Sequence, residues 1–316
     1  MPRRIPLPHE VHARAFTVGE GMRLGLGPGR LRGRDLQHPF HGVRAAGVDL
    51  DVLSARCAAL GLLLADRHAI SHATAAALFG APLPSPFTAP QRPLEVTSLG
   101  GGRMRRVGVR AHEGPPDLPV VRSPWGFLVV APATAWCQLA ADAVSRRGLL
   151  THADLVAVAD AFVSGRRAYG DRRTDIRCTV SDLAAAAEQH GSRRGAVALA
   201  RALPHVREGV DSPRETLLRL TIVGAGLPEP EIGLRVVTAD GTFFLDLAYR
   251  DARIDLEYEG DHHRSDAQQW RHDIRRVRAL QEAGWLVLRV TAGDLASGPA
   301  RAALVSQLRR HLASRR

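Results

Sequence analysis

Two runs of alternating apolar residues meet at Asp240-Gly241 in LRVVTADGTFFLDLAY, residues 234–249. Asp-Gly between such runs is the signature of a tight antiparallel hairpin. Its second strand carries the strongest constraint in the chain. Phe243, Leu245 and Leu247 read onto one face and Asp246 onto the other. A lone carboxylate inside so apolar a strand is costly to bury unless it is paired, protonated or bound to a metal. Any fold of this chain must give Asp246 a partner.

The next strand, RIDLEYEG, repeats the pattern. Ile254, Leu256 and Tyr258 fall on one side, and Asp255, Glu257 and Glu259 on the other. A short turn through YRDA sets Asp246 close to Asp255 and diagonal to Glu257, at cross-strand distances of roughly 5–8 Å. Like charges so placed destabilise a sheet unless a cation sits among them. Oxygen ligands without cysteine suit a hard divalent ion, Mg²⁺ or Mn²⁺. Glu215 supplies another acid, sharing a helical stripe with Leu218 and Ile222. Ser212-Pro213-Arg214-Glu215 also reads as a capping box with proline at the first helical position, which explains Glu215 without a ligand.

From Asp211 onward the periodicities give the order α-β-β-β-α-β-α. The hairpin is antiparallel, whereas the strand WLVLRVT follows a long helix and can pair differently, giving a mixed sheet. The run SPRETLLRL … FLDLAYRDARIDLEYEGDHHR … WRHDIRRVRALQEAGWLVLRVTAGDL resembles the very-short-patch-repair-type endonuclease domain of actinobacterial proteins, within the PD-(D/E)XK nuclease superfamily. The resemblance covers the last third of the chain. It implies an α/β fold with an α-β-β-β-α-β restriction-endonuclease-like core. It also implies a metal held by Asp246 and Glu257, with Glu215 matching the helix-borne acid of some members. The superfamily motif ends in lysine, but Glu259 stands there. Glu259 is then a further ligand, and His263 or His262 a proton carrier near neutral pH. On the following helix, Arg271, Arg275 and Arg278 line one face. They read as contacts to DNA phosphates or as a solvated charged face. Asp273 and Arg276 read as a local ion pair.

The N-terminal part is mainly helical. Residues 11–45 read as short helices, a glycine-rich turn and a strand, the outline of a winged helix. FTVGEGMRLGLGPGRLRGRDL … FHGVR, SHATAAALFGAPLP and APATAWCQLA resemble the N-terminal region of AbiEi-type antitoxins, which implies a winged helix and transcriptional autoregulation. Arg23, Arg30, Arg32 and Arg34 are the phosphate contacts if the second helix enters a groove. LEVTS and RVGVRAH read as strands joined by a hairpin-type turn, LGGGRMR. VSGRRAYGDRRTD reads as a linker. The expected division is 1–90 winged-helix-like, 91–165 small α+β, 166–209 helical linker and 210–316 nuclease-like.

The net charge of +11 suits a polyanionic partner. Residues 210–316 are nearly neutral, with 16 arginines against 15 acids, so the excess lies upstream. All 43 basic residues are arginine, which coding bias in a GC-rich genome explains equally well. Three separated cysteines fit a reduced compartment. The longest apolar run, CAALGLLLA, is too short for a bilayer, so the expected location is the cytoplasm. The reading is a Mg²⁺-dependent DNA endonuclease with DNA as partner, and either a toxin partner or a homodimer. The alternative is a degenerate DNA-binding regulator resembling an antitoxin.

Overall fold

Contacts sort the chain into two units, residues 1–150 with 185–197 and residues 151–184 with 198–316. A computed structural model describes residues 6–145, 149–168, 172–259 and 267–315, and the side chains of 144, 145 and 267–272 stand outside that description.

Unit 1 begins with strands β1 (Arg14–Thr17) and β2 (Val43–Ala46), paired antiparallel, with helix α1 (Val18–Arg23) between them. Thr17 caps α1, its Oγ1 accepting the Glu20 N–H at 3.0 Å. Phe16, Leu26 and Leu31 close a small core beneath. The second helix expected here is a single 3₁₀ turn, Arg30–Arg32. Gly25, Gly27, Pro28, Gly29 and Gly33 surround it, and that density of glycine and proline denies a longer helix.

Next come α2 (Leu53–Gly61), β3 (His68–Ile70), α3 (His72–Leu78), α4 (Ser85–Thr88), β4 (Leu94–Leu99), β5 (Val109–Gly114), β6 (Val120–Arg122), β7 (Leu128–Val130) and α5 (Pro132–Ser145). The strands form one mixed sheet in the order β5-β4-β3-β7-β6. Since β3 pairs with β4, a domain boundary at residue 90 would cut this sheet. LGGGRMR is not a hairpin turn. β4 and β5 are parallel, with Leu94 beside Val109 and Leu99 beside Gly114, so residues 100–108 carry the chain back along the full strand. Leu60, Ile70, Val96 and Val129 centre the core on this sheet.

Unit 2 contains α6 (His152–Ser164), the short antiparallel pair β8 (Arg166–Arg167) and β9 (Arg173–Thr174), the first part of α7 (Val180–His190), most of α8 (Ala196–Ala202), and α9 (Pro213–Gly224). The expected linker therefore holds a small hairpin. The sheet follows as β10 (Glu231–Thr238), β11 (Gly241–Tyr249) and β12 (Ile254–Tyr258), then α10 (Ala267–Glu282), β13 (Leu286–Val290), α11 (Ala292–Leu295) and α12 (Gly298–Ser314). Strand order is β10-β11-β12-β13. The first three are antiparallel and β12 runs parallel to β13, the helical crossover that a parallel pair requires. The sheet is mixed, as the element order predicts. Leu218, Ile222, Leu304 and Leu308 of α9 and α12 pack with Leu247 and Leu256. Leu280 of α10 packs with Leu245, Ala248 and Trp285.

One expectation fails inside β11. Leu245 and Leu247 join different cores, so the strand changes face at Asp246. Across from it the β10 ladder skips Gly233, whose φ is +62°, a backbone state that side chains rarely adopt.

A buried polar network ties α6 to α9. Asp160 accepts from the Arg207 N–H at 2.7 Å, Thr216 Oγ1 at 2.8 Å and Arg219 Nη2 at 2.9 Å. Asp160 and Arg219 are each about 1% exposed. Among the described residues no helix is long and apolar enough to cross a membrane. Because removing one partner strands a buried charge, Asp160→Ala is expected to cost about 3–5 kcal/mol, read as a lower urea midpoint.

Candidate active site

The acids gather where β11 and β12 part. Their ladder runs Tyr249–Ile254, Ala248–Asp255 and Leu247–Leu256 and stops there. Beyond it the Tyr258 backbone lies near the Asp246 carboxyl and favours its charged form. Asp255 stands opposite Ala248, so it is diagonal to Asp246, and Glu257 lies at the Asp246 level; the expected register had these two exchanged.

Asp255 is fully buried, and neither of its oxygens has a hydrogen-bond partner, whereas Glu257 Oε1 lies 2.5 Å from Arg276 Nη2. Two carboxylates have no hydrogen to offer each other. The pair is relieved by a retained proton or by a cation. Burial, then the neighbouring Glu257, push Asp255 up to about 9. Burial pushes Asp246 up to about 6, with Glu257 adding to the effect and Arg276 opposing it.

Glu215 arrives from α9. Its backbone N–H donates to Ser212 Oγ at 3.2 Å, but its Oε2 accepts the Asp211 N–H at 2.9 Å rather than that of the cap residue. Only half of the capping box forms. The carboxyl is buried beside Asp246, and burial first, then Asp246, push it up to about 7. The capping box expected at Ser212 is thus met on the Ser212 side alone, and the Glu215 carboxyl lies near Asp246.

Arg276 is the residue the sequence reading misplaced. Its Nη2 lies 2.5 Å from Glu257 Oε1 and donates to the Phe244 carbonyl oxygen at 2.8 Å. Its signal was available: Arg276 lies one turn before the buried Leu280, so it falls on the sheet-facing stripe of α10. Among the described residues the site brings together the carboxyls of Glu215, Asp246, Asp255 and Glu257 and the Arg276 guanidinium.

Other expected members stand apart. Glu259 leaves the cluster and pairs with Arg289 at 2.6 Å, both about half exposed. His262 and His263 lie outside the described residues, as does the Arg271 side chain. Arg275 and Arg278 are exposed on α10. In unit 1, Arg23, Arg32 and Arg34 are exposed. Arg30 is corrected: it makes a two-pronged bond to Asp35 at 2.9 and 3.1 Å. With its side chain only 6% exposed, it is unsuited to a phosphate contact.

The donor chemistry suits a hard divalent ion, because both Asp255 oxygens are buried without a hydrogen-bond partner beside other carboxyls. Among the described residues no three acids, imidazoles or thiols already form a ligand set. Mg²⁺ commonly takes one or two carboxylates and completes its shell with water and substrate phosphate.

The raised acids set a pH-dependence. An acid whose folded-state value lies above its unfolded value holds extra protons in the fold, so stability falls as pH rises through that window. For Asp255 the window runs from the ordinary carboxylate range to about 9. Asp255→Asn is expected to raise the melting temperature at pH 8 by about 2–4 °C or more. The gain should shrink towards zero near pH 4; a gain independent of pH would contradict the assignment.

No family model matches the chain. Two uncharacterized proteins of Mycobacterium tuberculosis, MT2308 of strain CDC 1551 and Rv2248 of strain H37Rv, are each 30% identical to it over 138 residues. The match takes in 43% of this chain and 50% of each relative, so the chain spans about half the length of the curated relatives it matches.

Proposed function

We propose that unit 2 is a metal-dependent DNA endonuclease of the very-short-patch-repair-like, PD-(D/E)XK type, and that unit 1 contributes a winged-helix-like DNA-binding surface. The observation that carries this reading is the gathering of Asp246, Asp255 and Glu257 on two neighbouring strands with Glu215 of α9 beside Asp246, burial holding Glu215, Asp246 and Asp255 above the ordinary carboxylate range. An inert sheet gains nothing from such a cluster, since each buried acid weakens the fold unless it is partnered.

In this reading Asp246 and Glu257 would hold Mg²⁺, or Mn²⁺ in its place, which supplies Lewis-acid charge opposite the scissile phosphate. Glu215 moves the proton. Its Oε2 is engaged by Asp211, which leaves Oε1 to take hydrogen from the attacking water, and a value of about 7 suits exchange near neutrality. Asp255 keeps its proton and stays a neutral hydrogen-bond donor beside Glu257. Arg275 and Arg278, with Arg271, steady the DNA backbone along α10, while Arg23 and Arg32 do so in unit 1.

A second reading rests on Arg276. A guanidinium already balances Glu257, and Glu259, at the lysine position, is engaged by Arg289. Both features suit a degenerate site in an antitoxin-like DNA-binding regulator, with a toxin or a second copy as partner.

Cleavage of plasmid, mismatched, nicked and branched DNA in Mg²⁺ or Mn²⁺ separates the two. The endonuclease reading expects nicking that Asp246→Asn and Glu257→Gln each lower by about a hundredfold or more. Salt-sensitive DNA retention without cleavage of any substrate leaves the regulator. If Arg276 competes with the metal for Glu257, Arg276→Ala should lower the Mg²⁺ concentration for half-maximal cleavage by about tenfold, the order expected for one charge removed beside a partly screened site.

A further inference from the structure

Unit 1 carries an open cavity of about 680 Å³ that the endonuclease reading does not use. Sites for drug-sized molecules run from about 300 to 1,000 Å³. The α5 face bearing Thr134 and Gln138 forms one wall. Residues 185–197, which rejoin this unit after the chain has left it, bring His190, Arg193 and Arg194 to the rim. That segment is seated closely: a Cβ on Gly195 would lie 2.6 Å from the Ala141 nitrogen.

The floor is built from polar groups under constraint. The rings of His72 and His112 stack with centroids 3.6 Å apart and planes 18° from parallel. His72 has φ +52°, a strained state for a residue with a side chain and one that concentrates at functional sites. Its backbone N–H donates to Gln138 Oε1 at 2.8 Å. Behind the rings Glu95 is fully buried, accepting the Ala73 N–H at 2.9 Å and Arg92 Nη2 at 3.0 Å. His112 Nε2 stands 3.8 Å from Glu95, too far for a hydrogen bond, and is buried without one. Asp142, next along α5 from the cavity, also has a buried oxygen lacking a hydrogen-bond partner. Burial, then the neighbouring His112, hold His72 down to about 3, so its ring is neutral and offers a flat polar surface rather than charge.

The rim differs in character. Arg103, Arg193 and Arg194 line it together with Glu113 and Asp117, three guanidiniums to two carboxylates among the described lining residues, and Arg103 Nε lies 3.7 Å from Glu113. Arg193 and Arg194 are exposed. Arg193 Nη1 donates to the Gln189 carbonyl oxygen at the end of α7, at 2.9 Å, which aligns its fork. Planar forks match the oxygens of a phosphate. A flat, hydrogen-bonding floor beneath a cationic rim calls for one molecule with two ends. We propose that this cavity binds a small phosphomonoester carrying a flat heterocycle, a ligand of the mononucleotide class, with its phosphate on Arg193 and Arg194 and its ring on the floor bearing His72, His112 and Gln138.

Isothermal titration of the full chain with adenosine 5′-monophosphate tests this, with adenosine and inorganic phosphate as half-ligands. The expected result is saturable binding of the monophosphate with a Kd of about 1 mM or below, and each half-ligand weaker by about tenfold or more. Arg193→Glu with Arg194→Glu alters only exposed positions and should weaken the monophosphate by about tenfold or more. His112→Gln should weaken adenosine and the monophosphate alike. Asp246→Asn should change neither, which separates this cavity from the carboxylate cluster. Absence of saturation up to about 5 mM, affinity unchanged in the double arginine variant, or loss of binding in Asp246→Asn would each overturn the proposal. Equal affinity for phosphate and the monophosphate would overturn the heterocycle and reduce the site to a simple anion hole.

Discussion

The Asp160–Arg219 ion pair is the contact on which unit 2 depends. Two charges this deep lose their water, and only a full set of hydrogen bonds offsets that loss. Asp160 has three donors. Arg219 adds the Glu229 carboxylate at 2.9 Å and the His205 carbonyl oxygen at 2.8 Å, although its Nε finds nothing. A pair of this kind tolerates little drift, because any rotation of α9 would leave a charge in an apolar place. It therefore fixes the helix about its axis. Glu215 lies one turn earlier on that helix, so the direction from which it meets Asp246 is set by a contact that includes neither acid.

The carboxylate cluster is the counterpart of that rigidity. A sheet centre would ordinarily be apolar, yet Asp255 sits fully buried between Ile254 and Leu256, both wholly within the core. Alternation makes this possible: the neighbours of Asp255 turn towards α9 and α12 while it turns the other way. The parallel partner β13 completes the arrangement, because reaching it requires a helix across the sheet, and that helix delivers Arg276. Topology and charge compensation have one cause here, the crossover between β12 and β13.

Much of this could be read from residue order. Asp240-Gly241 and the alternation around it specified the hairpin, and Ser212-Pro213 marked where α9 begins. The acids at 246 and 257 were recognisable because charge interrupted apolar strands. What escaped was set by distant parts of the chain. The change of face at Asp246 coincides with a glycine of positive φ across from it on the neighbouring strand. Arg276 had a plausible partner in Asp273, three residues away, and only the packing of α10 directs it to Glu257. Arg30 looked like a surface cation until Asp35 was seen to hold it. The parallel pairing of β4 and β5 ran against local pattern, since a glycine-rich turn between two short strands ordinarily makes a hairpin. Glu259 kept its alternation but lay at the solvent end of its strand, where Arg289 competes for it.

Residues 185–197 carry a consequence for how the chain is made. Unit 1 is unfinished when residue 150 leaves the ribosome, because a wall of its cavity is still unsynthesised. Before that wall emerges, α6 and the small β8–β9 hairpin of the other unit must already be out. The two units therefore cannot mature strictly one after the other, as separate beads would. The early part of unit 1 must wait, its α5 surface uncovered, while foreign segments pass. A chaperone or a bound small molecule acting on that surface would act during synthesis, before the later unit has folded.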